Sequence, residues 1–69
     1  MSEARRQQRI QSLLAYAKEK HVSEYSKLLR AALHQYPYIS EKTVRSYAIT
    51  VRRILNQEEQ SRQEQLELN

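Results

Sequence analysis

The sequence contains no cysteine and no glycine, and its only proline is Pro37. Without cysteine, neither disulfide bonds nor thiolate metal sites can stabilise the chain. Without glycine, the tight turns of a small β fold are hard to form, because many of them require the positive φ angles that glycine adopts most readily. These absences favour an all-α fold.

The sequence also lacks any apolar run near the ~20 residues that span a bilayer. Its charged N-terminus lacks the apolar stretch of a signal peptide. We therefore expect a protein that does not contact a membrane and is located in the cytoplasm, on the nucleoid if the source is prokaryotic. A chain of 69 residues forms one small domain at most, and its stability is modest unless it associates with a partner.

Positive charge is concentrated in the first four fifths of the chain. Residues 1–55 hold eleven Lys and Arg against four Glu, a net charge of +7, whereas residues 56–69 hold one Arg against four Glu, a net charge of −3. A basic body with a short acidic tail favours a polyanionic partner for the body. A solvated surface that keeps a small protein soluble explains the same charges.

The spacing of apolar residues predicts three helices. The first runs from about Glu3 to Lys20 and the second from about Glu24 to Gln35, because Pro37 disfavours helical geometry at the residue before it. The third begins after Ser40. The inward-facing residues are Ile10, Leu13, Leu14 and Ala17 in the first helix, Tyr25, Leu28, Leu29, Ala32 and Leu33 in the second, and Val44, Tyr47, Ala48, Val51, Ile54 and Leu55 in the third.

Serine residues precede all three helices, and Ser2, Ser23 and Ser40 are predicted to be their N-caps. Before the third helix, Ile39 is expected to pack on Val44 as a hydrophobic staple that fixes the entry angle of the chain.

The residues after the third apolar stripe are mostly Gln and Glu. We expect a three-helix domain over residues 1–56, followed by a polar acidic tail over residues 57–69. The tail has too little apolar surface to bury, so it is expected to extend the helix and then fray to disorder beyond about Glu59.

The outer side of the third helix carries cations with no acid among them. Helical phase gathers there Lys42, Arg45, Arg52 and Arg53, with Ile49 in their midst and Thr43, Ser46 and Thr50 at the edge. Lys and Arg neutralise phosphates, and Arg can bond a guanine edge. Ser and Thr hydroxyls can bond phosphates, and an apolar side chain can meet a thymine methyl group. Together these residue types favour a nucleic-acid interface over ordinary solvated positions.

Residues 28–55 read LLRAALHQYPYISEKTVRSYAITVRRIL. This segment resembles the helix–turn–helix of DNA-binding proteins, in particular the small tri-helical and winged-helix regulators of archaeal and bacterial type. With the first helix as support, the resemblance covers most of residues 3–55. The turn YPYIS lacks the glycine often found there, and no pair of strands follows, so the resemblance implies an all-α helix–turn–helix bundle without a β wing. The stretch SEKTVRSYAITVRRIL is also similar, more weakly, to part of the helical core-binding domain of tyrosine recombinases, which is likewise a DNA clamp.

By position, the resemblance implies that the DNA surface consists of Ser40, Lys42, Thr43, Arg45 and Ser46. Arg52 and Arg53 are expected to contact phosphates rather than bases, because the helix leaves the groove as it proceeds.

The N-terminal segment RRQQR holds Arg5, Arg6 and Arg9. These residues are candidates for contacts with the DNA backbone or a minor groove. A solvated, frayed helix start explains them more simply.

Nothing in the sequence favours catalysis. His21 and His34 lie on different elements. His21 follows the end of the first helix, and His34 has no carboxylate or second histidine three or four residues further on, so no metal site is expected. A chain without glycine has no glycine-rich phosphate loop. We expect no enzymatic activity, no cofactor and no small-molecule substrate.

The sequence therefore predicts a non-enzymatic protein that binds double-stranded DNA, as a transcriptional regulator or a chromatin- or replication-associated factor. One small module makes few contacts, so a homodimer or another protein is expected to add affinity. The alternative function is a small accessory subunit that binds a protein in a replication or transcription complex. In that case the tyrosines and the tail with Leu66 and Leu68 matter more than the arginines. Among the tyrosines, Tyr36 and Tyr38 are expected to be partly exposed beside Pro37. RNA is a third partner, because a basic helix does not by itself distinguish the two polymers.

Overall fold

A computed structural model describes the backbone of residues 3–68 and the side chains of residues 3–61. It contains three helices, α1 (Glu3–Lys20), α2 (Tyr25–Gln35) and α3 (Glu41–Leu68). No strand occurs within residues 3–68. The predicted all-α three-helix bundle without a wing is therefore confirmed, while the predicted cap Ser2 lies outside the described residues.

The three helices share one hydrophobic core, to which each contributes its predicted stripe. The turn between α2 and α3 adds one aromatic ring, Tyr36. Val22, Ile39, Ile54 and Leu55 pack against this core from its edges. The buried residues are Ile10, Leu13, Leu14, Ala17, Leu28, Ala32, Tyr36, Val44, Tyr47, Ala48 and Val51.

The end of α1 shows how this chain turns without glycine. His21 follows the last residue of α1 and has a φ of 56°, in the left-handed region. The N–H of Val22 then donates to the carbonyl of Ala17 at 2.9 Å, the six-residue closure of a Schellman motif. Val22 also packs against the core. Histidine takes a position that usually belongs to glycine, at a cost in backbone free energy.

We expect His21→Gly to raise the free energy of unfolding by about 0.5 to 1 kcal/mol, because glycine adopts positive φ without a Cβ clash. Urea denaturation followed by circular dichroism measures this change. Ala15→Gly is the control, since the same residue type at an exposed site inside α1 is expected to lower stability by about 1 kcal/mol. A destabilised His21→Gly variant would contradict the role assigned to the left-handed position.

The start of α2 corrects one prediction. Ser23 does not cap this helix. The N-cap is Glu24, which makes no side-chain capping bond, and its carbonyl accepts the N–H of Leu28 at 3.0 Å. Since the first intrahelical bond begins at Glu24, the cap position falls one residue after the serine.

The turn after α2 forms as Pro37 predicts. The last helical residue is Gln35, and Tyr36 leaves helical geometry with φ −124° and ψ 62° while its N–H still donates to Ala32. The N–H of Ile39 donates to the carbonyl of Tyr36 at 3.2 Å, which closes the turn.

The start of α3 confirms the predicted cap. The hydroxyl of Ser40 accepts the N–H of Thr43 at 3.4 Å, and Glu41 adds a negative charge to the first turn, where the helix dipole favours it. Ile39 packs against the core cluster that contains Val44, as expected for a staple.

The helix α3 continues beyond residue 56, where the predicted three-helix domain ends. It runs without interruption to Leu68, and the Nζ of Lys18 in α1 lies 3.1 Å from the Oε2 of Glu58. This ion pair ties the first turn beyond residue 56 to the bundle. Fraying of the helix beyond Glu59 stays a prediction about its behaviour in solution.

Candidate nucleic-acid interface

The outer side of α3 presents one patch, which we call the basic face. All of its members are exposed, and Ile49 retains 48% of its accessible surface. On the opposite side of the same helix, Val44 and Val51 are completely buried. The rest of the bundle therefore packs on that side of α3, and the basic face remains exposed to solvent. The basic face consists of Lys42, Arg45, Ile49, Arg52 and Arg53.

Glu41 lies at the edge of this face, so the prediction of cations with no acid among them was wrong there. The Nη2 of Arg45 lies 3.2 Å from the Oε1 of Glu41, four residues earlier. Residues at i and i+4 are neighbours on a helix, so this pair follows from the spacing of the two residues. Both side chains are more than half exposed, so the pair is worth only about 0.3–0.5 kcal/mol. A phosphate or a base edge can therefore compete for Arg45.

The hydroxyl groups beside the basic face are already bonded within the protein. The Oγ of Ser40 and the Oγ1 of Thr43 lie 2.9 Å apart. Ser46 donates its hydroxyl proton to the carbonyl of Thr43 at 2.6 Å, and Thr50 donates to the carbonyl of Ser46 at 2.8 Å. In this arrangement the donors directed outward from α3 are mainly its cations.

A shallow depression of about 350 Å³ connects the basic face with the first residue of α2. Sequence reasoning missed this extension, since it assigned Tyr25 only to the core and the amides to the domain end or the tail. Asn56 is seven residues after Ile49, and Gln60 is seven after Arg53, a spacing that keeps the same helix face. The depression is lined by Tyr25, Ile49, Arg52, Arg53, Asn56, Gln57 and Gln60.

A second depression, of about 310 Å³, lies on α2 and is mostly apolar. Its walls come from Tyr25, Leu29 and Leu33, which are only partly buried, together with Ser26 and Arg30. It shares Tyr25 with the depression beside the basic face.

A third depression, of about 550 Å³, lies between the end of α1 and α3. It contains Lys18 and Glu58, which form an ion pair with each other, together with Glu59, His21 and Leu55. Its charges are mixed, so it lacks the single sign that characterises the basic face.

Among the N-terminal arginines, Arg9 differs from Arg5 and Arg6. Its Nη1 donates to the phenol oxygen of Tyr47 at 3.1 Å, and its guanidinium carbon lies 5.9 Å from the ring centroid of Tyr36. The hydrogen bond to Tyr47 raises the pKa of Arg9 above its already high value. Arg9 therefore joins α1 to the turn and to α3, whereas Arg5 is exposed and Arg6 is partly buried.

The two tyrosines that flank Pro37 have different environments. Tyr38 is 76% exposed, but Tyr36 is only 7% exposed, so the prediction that Tyr36 is partly exposed was wrong. The ring of Tyr36 packs edge-to-face on Tyr47, with the centroids 6.2 Å apart. This contact and the cation of Arg9 explain why an aromatic residue beside a proline lies inside the bundle.

Burial raises the pKa of Tyr36, and the neighbouring Tyr38 adds to this rise while Arg9 opposes it. An unfolded tyrosine ionises near pH 10, so above about this pH the unfolded state loses the proton first and stability falls. We expect Tyr36→Phe to reduce this alkaline loss of stability, measured as urea midpoints between about pH 8 and pH 11. Tyr16→Phe, which removes the hydroxyl of a more exposed ring, is the control, and equal stability curves for the wild type and both variants would contradict the expectation.

Within the part of the chain that the structure describes, no three His, Asp or Glu side chains are grouped so as to hold a metal ion. No helix among these residues is long and apolar enough to cross a bilayer.

No family model, curated protein or solved structure matches this chain.

Proposed function

We propose that the chain binds double-stranded DNA by placing the first half of α3 in the major groove. The observation that carries the proposal is the basic face, where four exposed cations surround an exposed isoleucine. The major groove, about 12 Å wide, admits an α-helix. Since the opposite side of α3 is buried against α1 and α2, the body can hold the helix against DNA without rearranging. The resemblance of residues 28–55 to a helix–turn–helix supports the same placement.

Each of the four cations of the basic face has a role in this arrangement. Lys42 and Arg45 lie near the start of α3 and are placed to reach base edges or the nearest phosphates. Arg52 and Arg53 lie two turns later, where phosphate contacts are expected because the helix leaves the groove. Asn56 and Gln60 continue the same side and can add neutral hydrogen bonds to the backbone.

The hydroxyl residues and the N-terminal arginines take smaller roles in the proposal. Ser40, Thr43 and Ser46 shape the start of α3 through their internal bonds, and can accept hydrogen bonds but have few free protons to donate. Arg5 and Arg6 remain candidates for backbone contacts. Arg9 also remains a candidate, because its bond to Tyr47 uses one of the five N–H donors of the guanidinium.

A protein of this kind would act on DNA in the cytoplasm, on the nucleoid in a prokaryote, as a transcriptional regulator or a chromatin- or replication-associated factor. The small contact area of one bundle favours binding as a dimer or with a protein partner.

Fluorescence anisotropy with a labelled 20-base-pair duplex, a single strand and an RNA duplex tests the proposal. We expect the DNA duplex to bind most tightly, and the double variant Arg45→Ala/Arg53→Ala to bind it at least tenfold more weakly, on the order of 1.4 kcal/mol. The matched control is Lys20→Ala/Lys27→Ala, which removes the same charge from exposed positions on α1 and α2. Equal losses in the two double variants would show that net charge, not the basic face, attracts the DNA.

The alternative, an accessory subunit that binds a protein, is favoured by one observation, the apolar depression formed by Tyr25, Leu29 and Leu33 on α2. Such a subunit should show negligible duplex affinity and no effect of the Arg45→Ala/Arg53→Ala change. Tighter binding to the RNA duplex than to the DNA duplex would instead favour RNA as the partner of the basic helix.

A further inference from the structure

Ile49 occupies the centre of the basic face. By helical phase, Lys42 and Arg53 lie within about 40° of it on one side, and Arg45 and Arg52 within about 60° on the other. It is the exposed aliphatic side chain of this face, with nearly half of its surface in contact with solvent. A patch that bound phosphates alone would gain nothing from an apolar group at its midpoint.

The geometry of the major groove indicates what a side chain at this central position would contact. When a helix lies along the groove, the middle of its outer face meets the floor, where base edges are displayed, and its flanks meet the phosphates of the walls. Cations lie on both sides of Ile49, so they can neutralise the phosphates on both walls of the groove while Ile49 faces the base edges.

The hydroxyl groups next to Ile49 are engaged within the helix. The hydroxyls of Ser46 and Thr50 donate to carbonyl groups of α3, so their protons are not directed at a base. The group on a major-groove base edge that an aliphatic side chain favours is the 5-methyl group of thymine.

We propose that Ile49 contacts a thymine methyl group and thereby makes DNA binding sequence-dependent. This inference rests on the proposed function, since it concerns what the same face reads once DNA is bound. Phosphate contacts by the cations supply affinity for any sequence, and Ile49 supplies a preference at one base pair.

The test begins with selection of bound duplexes from a randomised pool, using the full-length protein. Each thymine of the enriched duplex is then replaced by uracil, which removes one methyl group and keeps the base pairing. We expect one replacement to weaken binding about threefold to fourfold, the effect of burying one methyl group less.

Two variants show whether Ile49 is responsible. Ile49→Ala should bind the thymine and uracil duplexes equally, whereas Arg53→Ala should weaken both and keep their ratio. A bound pool without sequence preference, equal binding of both duplexes by the wild type, or an unchanged ratio in Ile49→Ala would each overturn the inference while leaving DNA binding in place. If no duplex binds at all, the proposed function fails, and the inference falls with it.

Discussion

Val44→Ala is expected to lower the free energy of unfolding by about 1–3 kcal/mol, whereas Arg45→Ala, one position further along α3, should leave it almost unchanged. Val44 has no accessible surface, so removing two methyl groups leaves a cavity between the helices that can close only in part. For a domain of this size, such a loss is a large share of the total stability.

Arg45 lies 100° away on the helix and is exposed. Its partner is Glu41, and an exposed pair at this spacing contributes only about 0.3–0.5 kcal/mol. The order of the two variants should reverse in DNA binding. Arg45→Ala should weaken duplex binding, and Val44→Ala should bind as the wild type does at a temperature where it remains folded.

Urea denaturation and anisotropy on the same three proteins measure both quantities. An unfolded Arg45→Ala variant together with a fully stable Val44→Ala variant would show that the two faces of α3 have been exchanged.

Much of the fold could be predicted from the sequence because its signals are local. The apolar stripe of α3 determines which side is buried, and Pro37 determines where α2 ends. Ser40 precedes the stripe at the distance that a cap requires. Each of these features depends on residues within one or two turns of each other.

The interior contacts could not be predicted in this way. Arg9 contacts Tyr47, which is 38 positions further along the chain. It also lies over the ring of Tyr36, which the neighbouring Pro37 led us to expect at the surface. Such contacts depend on how α1 crosses α3, which periodicity does not determine. Tyr25 beside Ile49 is a second case, because only the packing of α2 on α3 brings them into one depression.

The features of the candidate site also differ in whether the sequence predicts them. Exposure of the basic face follows from helical phase, and the Glu41–Arg45 pair could have been predicted from its spacing of four residues. The internal bonds of Ser46 and Thr50 could not, because their hydroxyls can turn either toward the helix carbonyls or toward a ligand.

Duplex affinity is expected to fall about a hundredfold between 50 mM and 200 mM salt, the largest effect that the proposal predicts. Each cation that neutralises a phosphate releases condensed counterions, so log K falls with log salt by about 0.9 per contact on B-DNA. The basic face has four cations, which gives a slope of about −3 to −4 for one copy and about twice that for a dimer.

Single substitutions show how much each residue contributes to the slope of log K against log salt. Arg52→Ala should flatten it by about one unit and weaken all sequences alike, as the loss of a phosphate contact does. Lys27→Ala, which removes an exposed cation from α2, should leave the slope unchanged. If Arg45 reads a base, Arg45→Ala should cost more on the enriched sequence than on others.

The slope of log K against log salt for the wild-type chain on a DNA duplex tests the central claim most directly. The basic face predicts about −3 to −4 for each bound copy, with dissociation constants well below ~1 mM at low salt. A slope near zero, or a dissociation constant weaker than ~1 mM at low salt, would contradict DNA binding through α3 and leave the accessory-subunit function in its place.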